Sequence, residues 1–434
     1  MKRVIALATL TVLVGCSHGA AHGGDFVPRV DHHLHLFSPA SVALVTPPLL
    51  PEIALPEELT HLVRERTRRW HDQNALAELY TEDCLYFSGG SAGWVRGRGA
   101  AAGNVRWRIS DTPYLIKPAA YKGDGSSATI AGYFVEADGS DRHFAFFQMQ
   151  VVKERDGAWR IAAETSITPG PSFEQPYTAE QLIAKLDAVG IRRGVVLSDA
   201  YYFDSVRPEP VPDEYSKVRA ENDWTAQQVG RFPDRLVAFC SFNPLRDYAL
   251  PELERCASSG RFKGLKLHLN GAQLNFQNPE EVAKVQRVMA AANRHGMPMI
   301  IHVRSGPAYG REDAEIFLHQ LVSAAPDVPI TIAHLWGGEN FSGPALAVYA
   351  EAVAAGDPVT RNLYFDISGA WSYGKPEEMQ QIVTRIRQIG LGRILYGSDA
   401  PPPEAWSAFR STLPLTDEEF RTIAGNVAPY MRTP

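Results

Sequence analysis

Five short stretches of this sequence place histidine, lysine or aspartate at the end of an apolar run. The first is Asp31-His32-His33-Leu34-His35; the others are Lys266-Leu267-His268, His302 in IIHVRSG, His334 in IAHLWGG and Asp399 in YGSDAPP. His33 and His35 are two residues apart, so on an extended strand both side chains point to the same side, and Lys266 and His268 share that alternation. An imidazole or carboxylate is costly to bury unless it is paired or ligated. Neutral histidine nitrogens together with a carboxylate suit Zn²⁺ and neighbouring divalent metals. Each of these histidines alone would be read as a hydrogen-bonded core residue. The set, at matching ends of apolar runs, points to a divalent ion.

For these residues to meet, the runs that carry them must end on one rim. The stretches VVLS, VAFCSF, GLKLHL, MIIHV, ITIAHL, YFDI and ILYGS are nearly continuous apolar runs, which marks parallel strands covered on both faces. They alternate with helical patterns from residue 178 to the C-terminus. With Val27–Leu36 as the first, they make eight strands, and eight βα units close into a TIM barrel whose chemistry lies at the C-terminal strand ends. An open doubly wound sheet is the alternative, weakened by the lack of a Gly-x-Gly-x-x-Gly turn. The first strand is separated from the rest by residues 57–168. There an apolar helical stripe (Leu59, Leu62, Val63, Trp70, Leu76, Leu79, Tyr80) precedes strand-like segments at Cys84–Ser88, near Trp107–Ile109, and at Ala128–Ala137, His143–Glu154 and Trp159–Thr168. Gly89-Gly90, Asp138-Gly139 and Asp156-Gly157 mark turns, so this unit is expected to be α+β with a meandering antiparallel sheet. The expected layout is a first barrel segment at 26–56, an inserted domain at 57–168 and the rest of the barrel at 169–434. An insert in the first βα loop should sit beside or over the site.

Composition narrows the function classes. The chain has 434 residues, 45% hydrophobic and 21% charged, which excludes wholesale disorder and a fibrous repeat. Lys plus Arg is 43 against 49 Asp plus Glu, and the basic patches are as short as Arg64–Arg69, so no nucleic-acid partner is expected. Lys2 and Arg3 precede an apolar run of 11 residues, Val4–Val14, too short for a confident membrane span. Leu13-Val14-Gly15-Cys16 resembles a bacterial lipobox, which implies a signal peptide at 1–15, lipidation of Cys16 and a tether at 16–25. Ser17 after the cysteine resembles outer-membrane sorting. The expected place is therefore the bacterial cell envelope, lipid-anchored to the outer membrane and facing the periplasm. The alternative is an ordinary secretory signal cut near Ala20 or Ala21. The remaining cysteines, Cys84, Cys240 and Cys256, do not make a disulfide framework; a Cys240–Cys256 bridge stays open.

DHHLHLF, MIIHVRSG, ITIAHLWGG and ILYGSDAPP resemble the metal-dependent amidohydrolase superfamily, in the branch that includes carboxymuconate-semialdehyde decarboxylases, resorcylate decarboxylases and lactone hydrolases. The resemblance covers about 27–51 and 170–430. It implies metal ligands at His33, His35, His302 and Asp399, with Asp31 as an orienting residue and His32 as a packing or capping one. It implies catalytic roles for Asp399 and His334. Arg304, His268 and Lys266 become candidates for substrate binding, and Lys266, if carboxylated, would bridge two metals. One divalent metal is expected, zinc first, with manganese or iron as alternatives. The resulting expectation is a hydrolase of a small-molecule ester, lactone or amide, in which the ion activates water, Asp399 is the general base and His334 stabilises the oxyanion. The alternatives are a non-oxidative decarboxylase of an aromatic or unsaturated acid, and a non-catalytic ligand-binding lipoprotein. Trp336, Trp371, Trp406, Tyr201 and Tyr202 are expected in loops at the barrel mouth. Residues 57–168 resemble the SnoaL-like, nuclear-transport-factor-like (cystatin-like) cone fold through WHDQNALAELYTEDCLYFSGG, VRGRGAA and FFQMQVVKERDGAWRIAAETS. That resemblance leaves a homodimer open, and it makes Trp70, Tyr86, Trp94, Tyr133 and Phe147 core aromatics before pocket residues.

Overall fold

The structure is a computed structural model, and it describes residues 26–45, 50–88, 93–108, 114–136, 143–167, 175–304, 309–338, 341–370, 376–399 and 405–432. Cys16, the leader, the tether up to residue 25, Trp371 and the turns at 89–90 and 138–139 lie outside the described residues. The described residues form two compact units, one from those within 1–36 and 177–434, the other from those within 37–176.

The first strand, β1 (Val30–His35), belongs to the larger unit. The smaller unit supplies β2 (Tyr80–Ser88), β3 (Val95–Arg96), β4 (Tyr114–Gly123), β5 (Ser127–Glu136), β6 (His143–Lys153) and β7 (Trp159–Ile167). The larger unit resumes with β8 (Arg193–Leu197), β9 (Leu236–Ser241), β10 (Gly264–His268), β11 (Met299–His302), β12 (Ile330–Ile332), β13 (Leu363–Asp366) and β14 (Ile394–Leu395).

In the larger unit the strand order is β1-β8-β9-β10-β11-β12-β13-β14, every ladder parallel. The ring closes through backbone bonds: His32 N donates to Tyr396 O and Asp399 N to His33 O. This is the expected (β/α)8 barrel. The strands are buried almost throughout because helices cover the outside and apolar side chains fill the inside. Val30, Val195, Leu197, Phe239, Ile300, Ala333 and Leu395 form one interior cluster, and Ala428, Tyr430 and Met431 of the C-terminal turn plug it. Helix starts carry the caps their sequences encode: Thr178 with Gln181 and Thr416 with Glu419 are capping boxes, and Asn278 caps the helix that Pro279 opens. The helical stretch 311–324 divides into an α segment (Arg311–Ile316), a π turn (Phe317–Leu321) and a 3₁₀ turn (Val322–Ala324). Among the described residues no helix is long and apolar enough to cross a membrane.

The smaller unit is α+β, with sheet order β3-β2-β7-β6-β5-β4. It differs from the sequence reading in four ways. The pairing of β2 with β7 is parallel, so the sheet is mixed. The strand expected near Trp107–Ile109 is instead the end of a helix, Arg98–Arg108, which the alanine run 100–102 favours. Residues 114–123 form β4, a strand obscured in the sequence by Pro118. Proline is tolerated there because β4 is an edge strand, with a bulge between Pro118 and Ala120. Its neighbour must be Gly132, since a Cβ at that position would lie 2.1 Å from Lys117 O. Finally, the unit begins at Phe37 rather than residue 57, because Ile53 N donates to Pro118 O and Leu50 N to the Tyr133 hydroxyl. Tyr86, Tyr133 and Phe147 are buried core aromatics, Trp70 packs against the core, and Trp94 is 62% exposed.

Candidate metal centre

His33 and His35 are positioned by β1, which carries an extra residue between Asp31 and Leu34 relative to β8. A bulge of this kind turns successive side chains to new directions and is common beside active sites. His32 faces away from the other two. Its Nε2 accepts from Ala428 N at 3.2 Å, so its Nδ1 carries the proton and donates to Tyr396 O at 3.0 Å. Burial pushes His32 down to about 4, so it is a neutral structural residue. Asp31 accepts from His33 N and Ser398 N, tying β1 to the turn before Asp399. Gly397 in that turn is required by close approach: a Cβ would stand 2.7 Å from the His33 Cβ.

Each of the two histidines has its own carboxylate. His33 Nδ1 lies 3.0 Å from Asp366 Oδ2, and His35 Nδ1 lies 2.6 Å from Asp199 Oδ1. A carboxylate can only accept, so both Nδ1 atoms carry protons and both Nε2 atoms present lone pairs. Those lone pairs converge on one oxygen: Asp399 Oδ1 is 3.2 Å from His33 Nε2 and 3.7 Å from His35 Nε2. Ligand atoms of His33, His35 and Asp399 all lie within 4.8 Å of one another. Burial alone would raise Asp399, but His334, His33, His35 and Lys266 outweigh it and hold the carboxyl at about 2, ionised. His33 is pushed down to about 4, first by burial and then by Lys266. Two oriented neutral imidazoles and an ionised carboxylate are a donor set that fits a divalent cation.

The other predicted residues surround this group. Lys266 is buried on β10, with Nζ 3.2 Å from His33 Nε2, on the face an ion would occupy. His302 ends β11 and is 2% exposed. It stacks on His268 at 4.1 Å and lies 4.9 Å from the ring of His334, outside the converging trio of His33, His35 and Asp399. His268 Nδ1 accepts from Gly271 N, and its other face stacks on Tyr201 at 4.5 Å. Burial lowers both His268 and His302 well below the usual histidine range, so both are neutral. His334 follows β12, 5.1 Å from the His33 ring; its Nδ1 is 3.0 Å from Ser368 O and therefore donates to it. Arg304 donates to Leu274 O at 3.2 Å and, among the described residues, pairs with no carboxylate.

The backbone is strained at the same place. His334, Leu335 and Asp399 have φ of 55°, 64° and 72°, three of the five positive values at non-glycine residues among the described ones. Such conformations persist where surrounding structure fixes them, and they gather at functional sites. Here Asp366 holds the turn, accepting from His334 N through Oδ1 while its main-chain oxygen accepts from Leu335 N.

The sequence reading missed Asp199 and Asp366. Both end apolar strand runs, VVLSD and LYFD, as the recognised residues do, and that was the available signal. Two predicted mouth aromatics are core residues instead. Trp336 is fully buried against Phe341, and Trp406 packs on Phe26, Tyr396 and Phe420, its Nε1 donating to Phe26 O. Tyr201 and Tyr202 lie in a short helix, Tyr201–Asp204, beside His268. Cys84, Cys240 and Cys256 are buried free thiols.

A family model described as amidohydrolase matches residues 203–426. No curated protein matches the chain. Among solved structures, the chain is similar to a 2,6-dihydroxybenzoate decarboxylase from Rhizobium (17% identity, 56% of this chain and 84% of the other, TM-score 0.41). It is also similar to an NTF-2-like protein of unknown function from Shewanella oneidensis MR-1 (17% identity, 26% of this chain and 97% of the other, TM-score 0.22). A cystatin-like protein of unknown function from Nostoc punctiforme shows 15% identity over 27% of this chain and 97% of its own, with a TM-score of 0.23.

Proposed function

This chain belongs to the amidohydrolase family, and on that premise we propose that it is a metal-dependent enzyme acting on a small carboxylate-bearing molecule. His33, His35 and Asp399 would hold the ion, joined by His302 as the family resemblance implies; zinc is the metal we advance, ahead of manganese and iron. The carboxylate on each Nδ1 of the His33/His35 pair carries this reading, because that arrangement fixes the tautomer a metal ligand needs.

A divalent ion at this place would let water ionise near neutral pH and would polarise a carbonyl or carboxylate oxygen. Arg304, uncompensated by any carboxylate among the described residues, holds an anionic group of the substrate. Lys266, with Nζ 3.2 Å from His33 Nε2, and His268, stacked on His302, are the further substrate-binding candidates. This demand for negative charge favours non-oxidative decarboxylation of an aromatic or unsaturated carboxylic acid over hydrolysis of a neutral ester. The C–C bond breaks, CO₂ departs, its electron pair stays on carbon, and His334 hands that carbon a proton its Nε2 has taken from substrate or solvent. Burial of His33, His302 and His334 supports the same chemistry, since a carboxylate stripped of water loses CO₂ more readily. Hydrolysis of an ester, lactone or amide is the second reading. It is favoured by Asp399, which is ionised, 31% exposed and able to take a proton from water and return it to the leaving group.

The test is elemental analysis of the chain purified without chelator, beside His302→Ala, followed by assay of aromatic acids, lactones, esters and amides for CO₂ and for released acid. We expect about one metal ion per chain, lost in the variant, with CO₂ from an aromatic or unsaturated acid. Two ions per chain would make Lys266 a carboxylated bridge and favour hydrolysis. Metal without turnover would leave a ligand-binding protein, and no metal in either sample, even after reloading, would overturn the reading.

We further propose that the chain is exported and anchored through lipidated Cys16 at the bacterial outer membrane, facing the periplasm. The basic start, the 11-residue apolar run and the lipobox-like Leu13–Cys16 support this. Labelled palmitate should enter the full chain and not Cys16→Ser; equal labelling would sink it.

A further inference from the structure

The end of the barrel opposite the candidate metal centre holds a groove of about 920 Å³. Four arginines line it: Arg29, just before β1, Arg192 and Arg193 at the start of β8, and Arg432 after the C-terminal turn. Arg193 donates to Met431 O and Arg432 to Val427 O. Among the described residues none of the four pairs with a carboxylate, and no aspartate or glutamate lines the groove. In a chain of net charge -6, this is a local reversal of sign. Four uncompensated guanidinium groups around one concavity call for phosphate, which a guanidinium binds through two parallel hydrogen bonds.

The position of the groove selects the source of that phosphate. Val27 and Pro28 line it, so the chain leaves the barrel there toward Cys16. The ten residues 16–25 reach at most about 36 Å however they run. The side chains of the candidate metal centre lie at the other ends of the same strands: Arg193 opens β8 and Asp199 follows its end, while Val30 opens β1 and His35 closes it. We propose that this groove docks the barrel on an anionic phospholipid surface, its arginines on headgroup phosphates, with the metal-bearing face turned away from the bilayer. The biological setting rests on the export and anchoring reading given above; the binding itself does not.

The experiment is co-sedimentation of the full chain carrying Cys16→Ser with vesicles of phosphatidylcholine, alone or mixed with phosphatidylglycerol. The leader carries Lys2 and Arg3 and is the same in wild type and variants, so the change in phosphatidylglycerol-dependent binding between wild type and the glutamine variant reads the groove. Each arginine near an anionic surface contributes about fivefold in partition. Arg29→Gln/Arg192→Gln/Arg432→Gln should therefore lose about a hundredfold of the phosphatidylglycerol-dependent binding. The corresponding triple lysine variant should keep most of it, and salt should weaken wild type and lysine variant alike. Circular dichroism and a melting temperature equal to wild type would show that the variants are folded. Equal binding to both vesicles, or wild-type binding by the glutamine variant, would overturn the proposal. So would preference for free inorganic phosphate with no preference between vesicles. Loss of lipidation with retained phosphatidylglycerol binding would remove the anchor and leave the groove.

Discussion

Asp366 holds two histidines through different atoms. One carboxylate oxygen accepts from His33 Nδ1, and the other accepts from the backbone N of His334 and of Ser368. Burial would raise this carboxyl, but His33, His334 and the Ser368 hydroxyl outweigh it and keep it ionised far below its usual range. Asp366→Asn keeps the shape but removes one acceptor face. The amide nitrogen must then oppose either His33 Nδ1–H or the main-chain N–H groups, and His33 is released from the tautomer that leaves Nε2 free. Metal affinity should fall about 10- to 100-fold with the chain still folded. Metal titration checks this; unchanged affinity would mean that Asp366 does not orient His33.

Elements set the distances that residues use. The bulge in β1 lets His32 bond to the C-terminal plug while His33 and His35 face Asp399. The short helix Tyr201–Asp204 brings Tyr201 against His268, and its last residue is tied beneath it: Asp204 Oδ2 accepts from Asn243 N at 2.7 Å and from the Tyr248 hydroxyl at 3.1 Å. Burial pushes Asp204 up to about 7 despite those bonds. The folded state therefore holds this proton more tightly than the unfolded chain does. Its contribution is fully present below the unfolded value of 3.8 and is lost as pH rises toward 7. Asp204→Asn should flatten that region of the stability profile, gaining on wild type between about pH 4 and pH 7. Denaturant midpoints across this range measure it; a constant difference between the two proteins would refute the assignment.

Across the molecule, each unit has its own core. The smaller one buries an ion pair between the helix Glu57–Arg69 and its sheet: Arg66 donates to both oxygens of Glu164 and, at 2.7 Å, to the Tyr114 hydroxyl, while Tyr80 donates to Glu164 at 2.6 Å. Arg66→Ala strands an unpaired carboxylate and should destabilise this unit by about 3–5 kcal/mol, whereas Arg66→Met with Glu164→Leu should recover most of the loss. Neither should change the metal content of the barrel, whose candidate ligands all lie in the other unit. Calorimetry with metal analysis on the same samples would show this. Loss of metal in Arg66→Ala would contradict it.

The barrel architecture and half of the centre are legible in the order of residues alone. Continuous apolar strands, alternation with helices and the position of His33, His35, His302, His334 and Asp399 at strand ends are local patterns, because burial and the period of a strand act on neighbours in the chain. Which groups pair across the barrel emerges only once the chain is folded. Asp366 and Asp199 meet His33 and His35 from 333 and 164 residues away. Trp336 and Trp406 turn into the core because neighbours distant in sequence cover them. β4 is a strand despite Pro118 because it lies at a sheet edge. The arginine groove likewise gathers three segments distant in sequence, 27–30, 190–193 and 425–432. Pairings of this kind depend on ring closure and sheet order, which no local period encodes.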